Sequence, residues 1–213
     1  MKKIVVLLGI LLIITGCTNI KNEDYNSIIQ RVVESRFNIT NEYRTGYKYY
    51  IPNSMSSVDS KDYNEVLATS NYKYYLYVDV VSYYNRILND YQIDNNAFFS
   101  TKITFEDKFG YLEVNKQQNN KYLVEIMYNY AKIEVMVEEC DLKQAIANSI
   151  IILSSIEYNN EILESIIGDN VLEFNEETFN IFQTKKKESN YLDVEANDIY
   201  KEEDQTDDPD LVD

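Results

Sequence analysis

Apolar residues recur along this chain with two periods, and each change of period marks an element. Ile28, Ile29, Val32 and Val33 fall three to four apart, which predicts a helix over 25–36 with one apolar face; Asp24 stands where an N-cap belongs. Residues 45–52 (TGYKYYIP) read as a short strand entering a proline-terminated loop. From 64 to 85 the pattern is a hairpin, with a strand at 65–69, a turn at Ser70 and Asn71, and a longer strand from Tyr72. In that longer strand Tyr74, Leu76, Val78 and Val80 take one face while Lys73, Tyr75, Tyr77 and Asp79 take the other. A meander follows, with strands at 98–105, 110–116, 121–128 and 131–138 joined by polar links suited to hairpin turns.

The period then returns to three or four. Leu142, Ala145, Ile146, Ser149, Ile150, Leu153 and Ile156 predict a strongly apolar helix, with Asp141 as its cap. A short helix over 161–167 stops at Gly168, and residues 170–184 carry enough phenylalanine to dock on the domain. Residues 188–213 hold 11 acidic side chains and one basic one, Lys201, so burial there does not offset chain entropy and the segment is predicted to be disordered. The expected fold class is α+β: a mostly antiparallel meander sheet packed against an N-terminal helix and a long apolar C-terminal helix. The expected globular domain spans 24–184, with an acidic tail over 185–213.

The N-terminus obeys neither period. Lys2 and Lys3 precede an apolar run from Ile4 to Ile14, broken only by Gly9. Such a run is shorter than the roughly 20 residues of a membrane-spanning helix and matches the core of an export signal. Ile14-Thr15-Gly16-Cys17 resembles the lipobox of bacterial lipoproteins. The resemblance implies cleavage between Gly16 and Cys17 and a diacylglyceryl thioether on Cys17. Two acyl chains then hold the protein stably at the membrane, each buried methylene adding about 0.8 kcal/mol. Residues 17–23 become the lipidated end and its tether, and the domain is expected on the extracytoplasmic face.

Composition narrows the chemistry. Without residues 1–16 the chain carries 18 basic and 36 acidic side chains, a net charge of −18 that opposes nucleic-acid and anionic-headgroup binding. The sequence has no histidine, which removes imidazole bases and histidine-ligated zinc from consideration. Only Cys17 and Cys140 are present; with Cys17 given to lipid, Cys140 forms no intramolecular disulfide and is expected to be a small buried residue. The carboxylates of Glu138, Glu139 and Asp141 read as helix-start chemistry, and the 90–96 stretch (DYQIDNN) lacks the glycine and closing glutamate of a calcium loop. No nucleophile motif or glycine-rich phosphate loop occurs, so neither catalysis, metal nor cofactor is expected.

GYKYYIP, then YLYVDVV, then a meander and a closing helix ending IILSSI resembles the PsbP-like family over roughly residues 25–157. That resemblance implies a small α+β domain with an accessory, protein-binding role and supplies no active-site residues. The expected function is therefore a non-catalytic, lipid-anchored adapter that binds another envelope protein through a face carrying Tyr75, Tyr77 and Tyr83. The alternative is a module binding a cell-wall glycan or small solute, with tyrosine rings as stacking platforms.

Overall fold

Asp24 opens the first helix as its position predicts: its side chain accepts a hydrogen bond from Ser27 N at 3.0 Å, and α1 runs over Tyr25–Glu34. The computed structural model describes residues 20–35, 39–88 and 90–167, so the cleavage site, Cys17, Gly168 and the segments at 170–184 and 188–213 lie outside the described residues. After α1 come β1 (Glu42–Arg44), β2 (Tyr47–Tyr49), β3 (Ser56–Lys61), β4 (Asn64–Ala68) and β5 (Lys73–Val78). Helix α2 (Val80–Asn85) leads through a loop to the meander β6 (Phe99–Phe105), β7 (Lys108–Lys116), β8 (Lys121–Tyr128) and β9 (Ala131–Glu138). The described chain ends with α3 (Leu142–Ser154), β10 (Glu157–Tyr158) and α4 (Asn160–Ile167).

The fold is mixed α and β with a mostly antiparallel sheet. One sheet has the order β3-β4-β5-β9-β8-β7-β6, so two meanders join through β5 and β9; a smaller sheet has the order β1-β2-β10. Alternation sorts the large sheet into two faces. Tyr74, Leu76, Val124, Ile126, Ile133 and Val135 are buried with Ile28 and Ile29 of α1 and Ile146 and Ile150 of α3 in one core. Each such aliphatic side chain contributes about 1.5–3 kcal/mol when fully buried. Helix α3 lies on β8 and β9, and α1 lies against α3 and β6.

Turn chemistry sets the register. Asp62 and Tyr63 (φ 46° and 70°) and Asn129 and Tyr130 (φ 53° and 60°) are left-handed pairs, the geometry that lets a two-residue hairpin follow strand twist. Gly110 is required for a different reason: a Cβ there would stand 1.9 Å from the Met127 carbonyl oxygen on β8. The two sheets are joined by Glu65 of β4, whose carboxylate accepts from Tyr47 (2.9 Å), Tyr49 (2.7 Å) and the Arg44 guanidinium (2.6 Å).

Several expectations are corrected. The strand from Tyr72 does not continue through Val80; it ends at Val78, because the Asp79 carboxylate accepts from Ser82 N at 2.8 Å and starts α2. Asp141 makes no side-chain cap; residues Glu139–Asp141 form a 3-10 turn, and Asp141 accepts the Tyr72 hydroxyl at 2.6 Å instead. That turn leaves Cys140 exposed rather than buried. Helix α3 has 13 residues and so is not long, while the short helix expected over 161–167 is present as α4.

Candidate interaction face

The face of the large sheet away from α1 and α3 carries the polar members of each alternation. Cross-strand register places Ser100, Glu113, Glu125, Glu134 and Tyr75 in one row over β6, β7, β8, β9 and β5. The next row holds Lys102, Tyr111, Met127, Lys132 and Tyr77. Neighbouring strands lie about 4.8 Å apart, so three carboxylates stand side by side, an arrangement that destabilises unless each is given donors.

The donors are present. Tyr111 donates to Glu125 Oε1 at 2.5 Å, Asn115 to Glu113 Oε1 at 2.6 Å, and Lys132 pairs with Glu134 at 3.0 Å. Tyr91, from the loop between α2 and β6, stacks on Tyr111 (3.9 Å, 6° between planes) and donates to Glu113 Oε2 at 2.6 Å. With that proton committed, the 2.7 Å contact between Tyr91 and Ser100 has the serine as donor, and Ser100 Oγ in turn accepts from Asp94 N. Burial pushes the Glu125 carboxyl above the usual range; the charges of Glu134 and Glu113 add to that, while Lys132 and the Tyr111 hydrogen bond oppose it. The Tyr111 phenol is held well above its ordinary range by burial and by Glu125.

The face also buries apolar area of its own. Tyr77, Tyr111, Leu123 and Met127 are each 6% exposed or less, yet stand outside the helix-side core. Beside the carboxylate row lies a shallow recess of about 170 Å³ bounded by Leu88, Tyr91, Lys102, Phe109, Tyr111 and Met127. Five large apolar side chains of the segment leading to β6 are exposed: Tyr84, Ile87, Leu88, Ile93 and Phe98.

Tyr75 and Tyr77 therefore share this face, as the alternation predicts. Tyr83 does not. It sits on α2 at the end of the sheet, stacked on Tyr158 at 3.7 Å, with the Arg86 guanidinium 4.6 Å from its ring and its hydroxyl on Asn160. The Glu138–Asp141 carboxylates do not converge: Glu139 accepts from Tyr122 at 3.1 Å, and Asp141, on Tyr72, belongs to the burial-dominated environment that lifts that phenol to about 12. Among the described residues no group of three acidic or cysteine side chains is placed to hold a metal, and no helix is long and apolar enough to cross a membrane.

Sequence reasoning missed the carboxylate row. Its signal was present as a single glutamate inside each of three apolar alternations, YLEV, LVEI and KIEV, and the hairpin turns between them fix the register that aligns the three. No protein-family model matches this chain, and no curated protein matches it either.

Proposed function

We propose that this protein is a lipid-anchored, extracytoplasmic accessory protein, non-catalytic, that binds another envelope protein through the sheet face bearing Tyr75, Tyr77 and the glutamate row. The lipobox at 14–17 supports the anchor, and the resemblance to the PsbP-like family supports the accessory role and an α+β sandwich with α3 as its principal apolar helix. The observation that carries the binding role is the face itself: Tyr75, Glu125 and Glu134 half-buried at its surface, with Glu113, Tyr77 and Tyr111 buried among them, pre-positioned by hydrogen bonds over apolar residues the main core does not use. Such rigid aromatic anchors are what protein interfaces favour, and the half-exposed carboxylates Glu125 and Glu134 select a partner surface with lysine or arginine. The test is cross-linking in intact cells from the tagged full chain, followed by mass spectrometry of what is captured. One dominant envelope protein, lost in Tyr75→Ser while circular dichroism stays native, supports the reading; capture unchanged in that variant refutes this face.

A second reading, a ligand-binding module for a wall glycan or small solute, draws on the recess beside the stacked Tyr91–Tyr111 pair. Cross-links confined to wall fragments, lost in Tyr91→Ser, would select it.

A further inference from the structure

The N-terminal tether and two exposed apolar side chains meet at the same end of the sheet. Ile20 packs against the core as part of a 3-10 turn over Ile20–Asn22, only three residues after Cys17, a separation of at most about 11 Å of extended chain. Tyr25, at the start of α1, stands edge-on to Phe99 at 4.9 Å, which fixes the tether beside the first residue of β6. Phe98 precedes it, touches Tyr122 edge-on at 4.9 Å and remains 47% exposed; Ile93, in the loop held to Ser100, is 51% exposed. The strand ends here also carry the exposed lysines Lys73, Lys116 and Lys121, with Lys116 Nζ 5.7 Å from the Tyr122 ring. Glu138, Glu139, Asp141 and Asp24 stand at the same end, so these cations offset acidic side chains there rather than exceed them.

From this juxtaposition we infer that Phe98 and Ile93 dock into the bilayer interface beside the acyl chains, so that the domain is held in one orientation, with the β6–β7–β8 end down. The inference rests on the lipid-anchor reading. Aromatic side chains flanked by lysine suit the headgroup boundary, where an apolar ring and a cation are both accommodated. A tether this short keeps the loop within reach of the surface at all times, so two apolar side chains suffice where they would not recruit a free domain. The contact is apolar, and the chain's net negative charge opposes approach to anionic lipid, so added salt should strengthen rather than release it.

The sequence has no tryptophan, so a single introduced one reports its own surroundings. The full chain, purified from cell membranes as Phe98→Trp, Ile93→Trp or Tyr84→Trp, is reconstituted on vesicles of equal parts phosphatidylglycerol and phosphatidylethanolamine with brominated acyl chains. Tyr84, on α2 at the opposite end of the strands, is 37% exposed and serves as the distal reporter. The expected result is a blue shift and loss of emission for Phe98→Trp and Ile93→Trp, with Tyr84→Trp unchanged. Intact mass and flotation are read on the same samples. Lipid on Cys17 and flotation, with all three reporters equally unquenched, overturn the orientation and leave the anchor standing. An unmodified Cys17 with no flotation overturns both. Ile93→Trp, at an exposed loop position, keeps the test decisive if Phe98→Trp perturbs packing against Tyr122.

Discussion

Replacing Glu125 by glutamine should stabilise the protein at neutral pH. Glu125 faces Glu113 on one neighbouring strand and Glu134 on the other. Directly opposed like charges destabilise by roughly 0.2–1 kcal/mol each, so neutralising the central member removes two such terms. The gain is reduced by what the carboxylate loses, its attraction to Lys132 and the charge on its bond from Tyr111. The raised proton affinity of Glu125 shows which side prevails: burial and the two flanking carboxylates outweigh those two helpers. Glutamine keeps an oxygen for the Tyr111 hydroxyl and offers an N–H to a neighbouring carboxylate, so no polar group is orphaned. A net gain of about 1 kcal/mol follows, equivalent to about 2–4 °C in Tm for a domain of this size.

The pH dependence makes the argument specific. A carboxyl whose folded-state affinity is raised holds its proton more tightly when folded, so ionising it penalises the native state. Below the ordinary glutamate value of 4.5 both states are protonated and the penalty is absent; it grows as pH rises from there and is complete above the folded-state value. Urea unfolding of wild type and Glu125→Gln between pH 4 and pH 8 should therefore show curves that coincide at the acid end and separate towards neutrality. Destabilisation at pH 7, or an equal difference at both ends, would refute the reasoning.

Glu65→Leu should cost about 3–5 kcal/mol in the same assay, because it leaves the Arg44 guanidinium and the Tyr47 and Tyr49 hydroxyls without their shared acceptor. Gly110→Ala should cost at least about 3 kcal/mol, the top of the usual overpacking range, since the new methyl meets backbone rather than a side chain that can turn aside. Backbone amide exchange along β7 and β8 would accelerate in that variant ahead of the rest of the sheet. Cys17→Ser should abolish the acyl mass, read by intact mass spectrometry; a variant that retains that mass would contradict Cys17 as the anchor.

Legibility in the sequence followed burial on a single face. β8 and β9 were readable to the residue because Tyr122, Val124, Ile126 and Tyr128, and Ile133, Val135 and Val137, alternate without interruption and all reach the core. β3 was not, since SSVDSK is an exposed edge strand held by backbone pairing to β4 and has no apolar alternation to detect. The end of β5 misled for the opposite reason. Val80 continues the alternation and is buried, but the decision to turn lies in one local hydrogen bond from Ser82 N to Asp79. Glu65 occupies a core-face position beside Leu67, and only the return of Arg44, Tyr47 and Tyr49 from a separate sheet makes a carboxylate tolerable there. Tyr83 joined the predicted face only on the assumption of a longer strand. The Glu65 cluster depends on pairings between distant segments, which composition and period do not encode, whereas the glutamate row lies on consecutive hairpin strands.

The proposed orientation and the proposed binding face together constrain the partner. With the tether end on the bilayer, the strands run away from the membrane, and the eight residues of β8 span about 26 Å at 3.3 Å each. Glu125 lies midway along that strand, so the glutamate row stands on the order of 13 Å above the surface on a face that looks sideways rather than outward. A partner meeting that row with lysine or arginine must therefore present its cations within the first layer above the headgroups. That describes a membrane protein's short extracytoplasmic loops, or another anchored domain, better than a protein free in the surrounding medium. Lengthening the tether between Cys17 and Ile20 would raise the row and free the domain to tumble. Capture of the cross-linked partner should then fall even though every residue of the face is intact, whereas unchanged capture would show that the partner approaches from above.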